Sequence, residues 1–307
     1  MECTPHLEFT KVIKRNTPMS KVWLVTGSAS GLGRAIAEQA LAQGDRLVAT
    51  ARRPEALADL QARYGAQVKL AALDVTVPAQ ARDAVDAALR TFGRIDVLVN
   101  NAGYASVAPF EQTSAEDFAA QMDTNFYGVV NLVRVVVPVM REQRSGHIIN
   151  ISSGAGRLGA PGMTAYHAAK WAVGGFTESL AKELRAFGVH VVAVEPGSMP
   201  TSWASVAASQ TPALIADYAP SVGRIVEVLR KLVGHEVGDL AKYAKVIFEL
   251  SRAESLPHHL LLGSDALAAV RGAERAREAE ASQWEAVSRS TDRDGADLGF
   301  LAGAVGH

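Results

Sequence analysis

The chain has 307 residues, of which 48% are hydrophobic and 21% are charged, and its formal net charge is −1. This balance is typical of a globular protein in aqueous solution, and it provides no basic surface for nucleic acid or for an anionic membrane. The single cysteine, Cys3, excludes an internal disulfide framework and thiolate metal clusters. The sequence contains no run of about 18 apolar residues, the length that a membrane-spanning helix needs. We therefore expect a cytoplasmic protein with no metal site.

The first residues of the chain do not have the pattern of a secretory signal. Residues 1–18 carry three cations and lack an apolar core, and Met19 opens MSKVWLVTG, which reads as a natural start. We expect residues 1–18 to form a flexible extension, and a docking arm is the alternative.

Seven short apolar runs alternate with Ala-, Leu- and charge-rich segments that have helical periodicity. The runs are VWLVT (22–26), RLVAT (46–50), VKLAAL (68–73), IDVLV (95–99), HIINI (147–151), VHVVAV (189–194) and HLLL (259–262). Strands separated by helices predict a parallel sheet with helices on both faces. We therefore expect one doubly wound α/β domain of about seven strands over residues 19–270.

Two segments depart from this alternation. Residues 198–235 follow the sixth run, and so long an insertion predicts a lid or pocket wall over the substrate. From about residue 271 a charged helical pattern begins, and the chain then loses periodicity toward residue 307. We expect a C-terminal helix followed by a poorly ordered tail.

The first run leads directly into a glycine-rich turn, TGSASGLG (26–33), which opens a helix-patterned stretch. A phosphate-binding turn requires this context, because a helix N-terminus presents free N–H groups and a partial positive charge to a pyrophosphate. Gly27 permits the tight turn, while Gly31 and Gly33 allow close approach of the backbone. A strand–helix turn with incidental glycines is the alternative.

Tyr166 and Lys170 in YHAAK stand four residues apart, so a helix places both on one face. A free phenol has a pKa of about 10, and a nearby ammonium favours the phenolate. The pair could therefore form a proton-transfer catalyst. Such pairs also occur by chance on solvated helix faces, and the remaining motifs decide between the two interpretations.

Five motifs occur in an order and at distances that resemble the short-chain dehydrogenase/reductase family. They are TGSASGLG (26–33), NNAG (100–103), SS (152–153), YHAAK (166–170) and EPGSMPT (195–201). The glycine spacing resembles the short single-domain branch, and TARRPEAL (50–57) is similar to hydroxysteroid-dehydrogenase-like and carbonyl-reductase-like members. The resemblance implies a Rossmann-type fold, a nicotinamide cofactor and an oxidoreductase acting on CH–OH groups.

By this resemblance, Ser153, Tyr166, Lys170 and Asn125 form the catalytic set. The hydroxyl of Ser153, 13 residues before the tyrosine, orients the substrate oxygen beside Tyr166, which acts as general acid or base. Lys170 lowers the pKa of the tyrosine and binds the nicotinamide ribose. Asn125 anchors a water in a proton relay from the lysine to solvent, or alternatively only caps a helix kink.

The same resemblance assigns the cofactor contacts to segments that follow strands. Asp74 contacts the adenine amino group, the NNAG turn flanks the adenosine ribose, and the proline–glycine segment lies beside the nicotinamide amide. The complete expected set is Gly27, Ser30, Gly31, Leu32, Gly33, Arg52, Arg53, Asp74, Val75, Asn101, Ala102, Gly103, Tyr166, Lys170, Pro196, Gly197 and Thr201.

The residues after the second run favour NADP(H), while NAD(H) stays possible. NAD enzymes place a carboxylate at the end of the second strand. Here Ala51 occupies that position, and Arg52 and Arg53 follow it. Arginine pairs well with a 2′-phosphate, although both arginines could instead be solvated residues before a helix. Because Ser30 stands where many NADP-preferring relatives carry a basic residue, we expect a preference and not exclusion.

The expected substrate pocket combines the catalytic Ser153 and Tyr166 with residues to which the resemblance assigns no other role. These further residues are Tyr104, Gly154, Met163, Met199, Trp203 and Leu214. Their mostly apolar character predicts an apolar ketone, aldehyde or secondary alcohol. The alternatives are a cofactor-retaining isomerase or dehydratase, and a regulatory protein that senses NADP(H). Family members form dimers or tetramers through the helix that carries Trp171 and the helix before it, so we expect a homodimer or homotetramer. We expect Trp171 itself to be an ordinary core residue, and a subunit contact is the alternative.

Overall fold

The computed structural model describes residues 20–297 and Gly299. The expected extension over residues 1–18 and the end of the expected C-terminal tail lie outside the described residues. Within the described part, seven parallel strands form one sheet. They are β1 (Val22–Val25), β2 (Arg46–Ala51), β3 (Val68–Ala72), β4 (Val97–Asn100), β5 (Gly146–Ile151), β6 (Val189–Pro196) and β7 (His259–Leu262). Each strand overlaps one of the seven predicted runs, which confirms the predicted Rossmann-type fold.

The sheet has a switch point between β1 and β4, because its strand order is β3-β2-β1-β4-β5-β6-β7. Ligands of open parallel sheets bind outside the carboxyl ends of the strands at such a point. The glycine turn leaves β1 and residues 101–103 leave β4. The amide of Thr26 donates to the carbonyl of Val99 at 3.0 Å, so the two exits lie side by side.

Ten α-helices connect and follow the strands within the described residues. They are α1 (Gly31–Ala42), α2 (Ala58–Tyr64), α3 (Pro78–Phe92), α4 (Ala115–Met122), α5 (Gly128–Gln143), α6 (Thr164–Leu184), α7 (Trp203–Ser209), α8 (Arg224–Leu232), α9 (Leu240–Leu250) and α10 (Ser264–Arg289). None of the helices in residues 20–297 has both the length and the apolar character that crossing a membrane requires.

Both faces of the sheet are covered by helices, as a parallel sheet requires. One face carries α1 and α9, and the other carries α3, α5 and α6. Helix α3 illustrates why these segments form helices that pack on the sheet. Its buried residues recur at helical spacing and so share one apolar face: Ala81, Ala84, Val85 and Ala88. Gly93 ends this helix in the left-handed conformation, with φ of 78°.

Residues 198–235, expected to form a lid, contain α7 and α8 with a π-helical turn, Ala219–Gly223, between them. Buried apolar side chains from both helices pack around Tyr166 in a cluster that is separate from the two sheet cores. The segment therefore lies over the N-terminal end of α6, where Tyr166 stands.

The C-terminal helix begins earlier than its charge pattern indicates. Helix α10 starts at Ser264 and not near residue 271, because Gly263, with φ of 102°, turns the chain from β7 directly into the helix. The buried residues of α10, Ala266 and Val270, lie in its first two turns. These turns pack on the body of the protein, and the charged remainder is mostly exposed.

Candidate active site

The turn after β1 forms a cradle of backbone with no room for side chains. Gly27 and Gly31 have φ of 67° and 55°, in the left-handed region that favours glycine. A Cβ on Gly33 would overlap the carbonyl oxygen of Gly27 and the side-chain Nδ2 of Asn101. Ser30 directly precedes α1, and its side chain accepts no hydrogen bond from the first N–H groups of the helix. The first N–H groups of α1 therefore face the cradle, as a bound pyrophosphate would require.

Two further segments close around this cradle. Asn101 donates through Nδ2 to the carbonyl of Thr26 at 3.0 Å, and the amides of Asn101 and Ala102 donate to the Thr26 hydroxyl at 2.8 and 2.9 Å. On the other side, a Cβ on Gly31 would lie 3.2 Å from Cγ2 of Thr201. The glycine turn, the NNAG turn and the EPGSMPT segment thus meet at one place, and Leu32 is buried beneath them.

The expected adenine and 2′-phosphate residues lie beside each other at the ends of β2 and β3. Asp74 accepts from the amide and the hydroxyl of Thr76 at 3.0 and 2.7 Å. The Thr76 hydrogen bond, with the nearby charge of Arg52, lowers the pKa of this carboxyl below its usual range. Arg52 and Arg53 are both exposed, and Val75 is buried. A charged ligand at this edge would meet two accessible guanidinium groups.

Asn125 lies in a π-helical turn, Asp123–Tyr127, and is completely buried. Its Oδ1 accepts from the amide of Tyr104 at 3.0 Å, and its Nδ2 donates to the carbonyl of Tyr104 at 2.8 Å. A Cβ on Gly103 would approach both Asn125 Oδ1 and Nζ of Lys170. The turn therefore places Asn125 next to Lys170 and fixes the backbone of Tyr104, whose side chain is partly exposed. π-helical turns are frequent at functional sites.

Lys170 and Tyr166 are both buried on the same face of α6, and Nζ of Lys170 lies 5.8 Å from the centre of the Tyr166 ring. The ammonium donates to the carbonyl of Ile151 at 2.8 Å. Burial lowers the pKa of Lys170 to about 8. The lysine is consequently tied to the end of β5, one residue before the SS motif.

Tyr166 is protonated near neutral pH. Burial raises the pKa of Tyr166 to about 12, and a hydrogen bond with Ser153 opposes this rise. The expected lowering by Lys170 therefore does not outweigh burial in this structure, because the ammonium is directed to the carbonyl of Ile151. Ser153 also accepts from the amide of Ala155 at 3.1 Å, so its hydroxyl is fixed beside the phenol.

The EPGSMPT segment is held by a carboxylate that sequence reasoning missed. Asp265, in the first turn of α10, accepts from the amide and the hydroxyl of Ser198 at 2.8 and 2.7 Å. A Cβ on Gly197 would overlap this carboxylate. The amide of Gly197 donates to the carbonyl of Leu262 at 2.8 Å. Pro196 and Gly197 are thereby fixed between β7 and α10.

The wall beside Tyr166 is apolar and is formed largely by residues 198–235, the expected lid, which we call the lid segment. We call this set the pocket cluster; its buried members are Ala105, Val107, Met163, Tyr166, Ala204, Ala207, Ala208, Val222, Val226 and Leu229. Trp203 packs against it, with its ring 5.4 Å from that of Tyr166, and Leu214 also joins it. Two expected pocket residues lie elsewhere. Met199 packs on the sheet core beneath α9, and Gly154 packs against Ala266 of α10.

The lid segment is attached to the loop after β4 by two side chains that were not predicted. Gln112 donates through Nε2 to the carbonyl of Ala213 at 2.9 Å and accepts at Oε1 from the amide of Ile215 at 3.2 Å. The hydroxyl of Tyr218, on the same segment, donates to the carboxylate of Glu111, and this hydrogen bond raises the pKa of Tyr218. Both contacts join residues about one hundred positions apart, so no local pattern reveals them.

A second concavity, at the opposite end of the strands, is not the candidate active site. This cleft has a volume of about 410 Å³, and its lining includes Lys21, Arg94, Asp96, His147, His190, Arg252 and Glu254. Arg252 pairs with Asp45 at 2.7 Å, and Arg94 pairs with Asp96 at 2.7 Å. Because these charges neutralise one another, the cleft gives no specific indication of a ligand.

Comparisons with known proteins agree with this geometry. The family model described as short chain dehydrogenase matches residues 21–212. The oxidoreductase BOA17 of Botryotinia fuckeliana is 44% identical over 271 residues, which cover 88% of this chain and 98% of that protein. A crystal structure of a short-chain dehydrogenase from Streptomyces avermitilis has 40% identity and a TM-score of 0.82, and the match covers 90% of this chain and 100% of that one. A short chain dehydrogenase/reductase from Burkholderia phymatum, in complex with NAD, has 33% identity and a TM-score of 0.72, covering 82% of this chain and 92% of that one.

Proposed function

The chain belongs to the short-chain dehydrogenase/reductase family of NAD(P)-dependent oxidoreductases, and we propose that it reduces an apolar ketone or aldehyde to the alcohol with NADPH. The observation that carries this proposal is the set of half-buried Ser153 and buried Tyr166 and Lys170 beside an apolar wall. The cradle around Gly33, which a single Cβ would fill, fits a dinucleotide pyrophosphate. When bound, the nicotinamide cofactor supplies or accepts the hydride.

The chain's own residues handle the substrate oxygen and its proton. Ser153 donates to the carbonyl oxygen and orients it toward Tyr166. Because the phenol of Tyr166 is protonated near pH 7, it acts as general acid and gives its proton to the forming alkoxide. Lys170, fixed on the carbonyl of Ile151, places a positive charge near the resulting phenolate and contacts the nicotinamide ribose. Asn125, next to Lys170, anchors the water that returns the proton.

The preference for NADPH rests on Arg52 and Arg53. Both are exposed immediately after β2, and no carboxylate stands at Ala51, where an NAD enzyme binds the ribose hydroxyl. Arg34, the nearest cation of the glycine turn, is already paired with Glu38 at 2.9 Å and with Asp59. The 2′-phosphate therefore pairs with the guanidinium of Arg52 or Arg53.

The preference for an apolar substrate rests on the pocket cluster. The Trp203 ring lies 5.4 Å from the ring of the catalytic phenol, and six apolar side chains of the lid segment continue this wall: Ala204, Ala207, Ala208, Val222, Val226 and Leu229. A carboxylated or phosphorylated substrate would lose its hydration there without gaining an ionic partner. The lid segment, attached through Gln112, excludes water from the reacting groups.

We also propose that the chain works in the cytoplasm as a homodimer or homotetramer. Trp171 on α6 is 45% exposed, while its Nε1 donates to the carbonyl of Leu158 at 3.1 Å. This half-covered indole is suited to a subunit contact and is not a core residue. Size-exclusion chromatography with light scattering tests the assembly, and a monomeric mass would contradict it.

The activity is tested by following absorbance at 340 nm with NADPH, and in parallel with NADH. The panel contains cyclohexanone, acetophenone, 2-octanone and 1-decalone, with pyruvate as a carboxylated control. We expect NADPH-linked turnover with the apolar ketones and little with pyruvate. Preferred reduction of pyruvate would contradict the apolar pocket. NADPH that binds stoichiometrically but is not consumed would favour a cofactor-retaining isomerase or a sensor.

A further inference from the structure

We propose that Arg157 is a positioning residue, which fixes the turn carrying Ser153 in register with the segment that lies beside the nicotinamide. This inference rests on the proposed function, because it assigns Ser153 to the substrate oxygen and Pro196–Gly197 to the cofactor. Its partners are a buried carboxylate on β6 and two side chains of the C-terminal helix α10.

The side chain of Arg157 joins three elements. Four residues after Ser153, its Nη1 lies 3.4 Å from Oε2 of Glu195 on β6, and its Nη2 pairs with Glu274 on α10. Its own carbonyl accepts from Nη1 of Arg277, also on α10, at 2.8 Å. The planar guanidinium is suited to this arrangement, because it presents several donors in fixed directions.

Glu195 is a carboxylate with no exposed surface. It directly precedes Pro196, the residue where β6 ends beside the cofactor segment. One oxygen faces Arg157, and the other accepts from Nδ1 of His259 on β7 at 2.7 Å. This hydrogen bond to Glu195 raises the pKa of His259 above its usual value. A fully buried carboxylate needs such partners, since an unpaired buried charge is strongly destabilising.

The backbone of the turn is fixed as well as the side chain of Arg157. Three of its carbonyls accept from side chains of α6 or α10: Ala155 from Nδ1 of His167 at 2.8 Å, Arg157 from Arg277, and Leu158 from Nε1 of Trp171 at 3.1 Å. The guanidinium of Arg277 also lies over the Trp171 ring, 5.3 Å from its centre. Helix α10 therefore covers the turn and completes hydrogen bonds that α6 alone cannot supply.

Carbonyl reduction requires a fixed relative position of the turn that carries Ser153 and the segment that contains Pro196 and Gly197. Ser153 and Tyr166 determine where the substrate oxygen lies, whereas Pro196 and Gly197 lie beside the expected nicotinamide. A misplacement of about 1 Å between such groups can reduce turnover about 100-fold. The Arg157–Glu195 pair directly connects the two segments. Loss of this ion pair should misalign the substrate oxygen and the nicotinamide, while the affinities for the substrate and for NADPH should change less.

The experiment compares Arg157→Met, Glu274→Gln, Arg277→Met and the double variant Arg157→Met/Glu195→Gln with the wild type. The matched control is Glu285→Gln, which breaks an exposed ion pair with Arg289 on the same helix. The readouts are kcat and KM with the panel ketone that the wild type reduces fastest, the primary isotope effect with NADPH deuterated at both C4 positions, and hydrogen–deuterium exchange of residues 153–158. Exchange is measured without substrate, so it is interpretable even if no panel ketone turns over.

We expect Arg157→Met to lower kcat about 10- to 100-fold, with the KM for NADPH changed less than about twofold. The isotope effect should rise, and residues 153–158 should exchange faster, while the glycine turn at residues 26–33 keeps its protection. Glu274→Gln and Arg277→Met should show the same changes in smaller measure. The control should match the wild type. If Arg157→Met does not fold, Glu274→Gln and Arg277→Met test whether the contacts of Arg157 position the turn.

The double variant separates positioning from charge neutralisation. If Arg157 only neutralises Glu195, removing both charges restores kcat and overturns the proposal. Wild-type kcat and wild-type exchange in both Glu274→Gln and Arg277→Met would also overturn it. A wild-type protein that reduces none of the ketones would contradict the proposed function. Faster hydrogen–deuterium exchange of residues 153–158 in the variants would even then support the proposal that Arg157 fixes this turn.

Discussion

The ammonium of Lys170 lies 5.8 Å from the centre of the Tyr166 ring but donates its hydrogen bond to the carbonyl of Ile151. Both side chains are buried, and burial moves their pKa values in opposite directions. Tyr166 thus stays a neutral phenol while Lys170 loses part of its preference for the charged form. This state is the one that a general acid needs for carbonyl reduction at neutral pH.

Replacing Tyr166 by Phe removes the proton donor and leaves the ring in the pocket cluster. We expect kcat to fall about 10²- to 10⁴-fold, since general acid catalysis contributes that much. The dissociation constant for NADPH, measured by fluorescence titration, should change less than about twofold. Turnover close to that of the wild type would contradict the assigned role of Tyr166.

Replacing Lys170 by Met should make the protein more stable at pH 7. The pKa of Lys170 is about 8 in the folded protein against 10.5 for an ordinary lysine. The unfolded chain therefore binds more protons between these values, and the cost of the buried charge, up to about 3 kcal/mol, disappears as pH rises through that window. Chemical denaturation at pH 7 and pH 10 measures the difference. A gain that is equal at both pH values, or one also seen in the exposed control Lys182→Met, would argue against a buried ammonium.

Replacing Gly33 by Ala should damage the nucleotide cradle. The new Cβ would overlap the backbone of Gly27, which cannot move without reshaping the turn. We expect a loss of about 1–3 kcal/mol in stability and weaker NADPH binding, measured by denaturation and by fluorescence titration. The matched control is Gly272→Ala on α10, where a Cβ meets nothing within 4 Å. That variant should be more stable by roughly 0.5–1 kcal/mol.

Replacing Arg52 by Asp should shift cofactor preference from NADPH toward NADH. A charge-assisted hydrogen bond to phosphate is worth about 1.5–3 kcal/mol, so the ratio of kcat/KM values should fall about 10- to 100-fold. Arg63→Asp is the control, because Arg63 is an exposed arginine on α2 whose guanidinium lies over Tyr64. An unchanged ratio in Arg52→Asp would place the 2′-phosphate elsewhere.

The fold could be predicted because its determinants are local. Each of the seven apolar runs is rich in residues that pack in a sheet buried on both faces, and the intervening segments repeat at helical spacing. The start of α10 was harder to predict from the sequence, because it depends on the positive φ of Gly263 and not on a hydrophobic pattern. The π-helical turn around Asn125 likewise has no signal in MDTNFYG.

The candidate site was predictable only where its residues lie close together in sequence. Tyr166 and Lys170 share a helix face, and the glycine turn is contiguous. The hydrogen bond between Ser198 and Asp265 spans 67 residues, and that between Gln112 and Ala213 spans 101. Glu195 did leave a signal, because it is a charged residue at the end of the apolar run VHVVAV (189–194). Its partners, Arg157 and His259, become neighbours only when β6 and β7 pair.

The most decisive experiment follows deuterium from NADPH in which both hydrogens at C4 of the nicotinamide are deuterium, so that label is transferred from whichever face of the ring the protein uses. Wild-type protein is incubated with the labelled cofactor and the ketone that it reduces fastest, and the product is analysed by mass spectrometry. We expect an alcohol with one deuterium on its carbinol carbon for each NADPH oxidised. A product without label, or conversion of the substrate without oxidation of NADPH, would contradict hydride transfer by this protein.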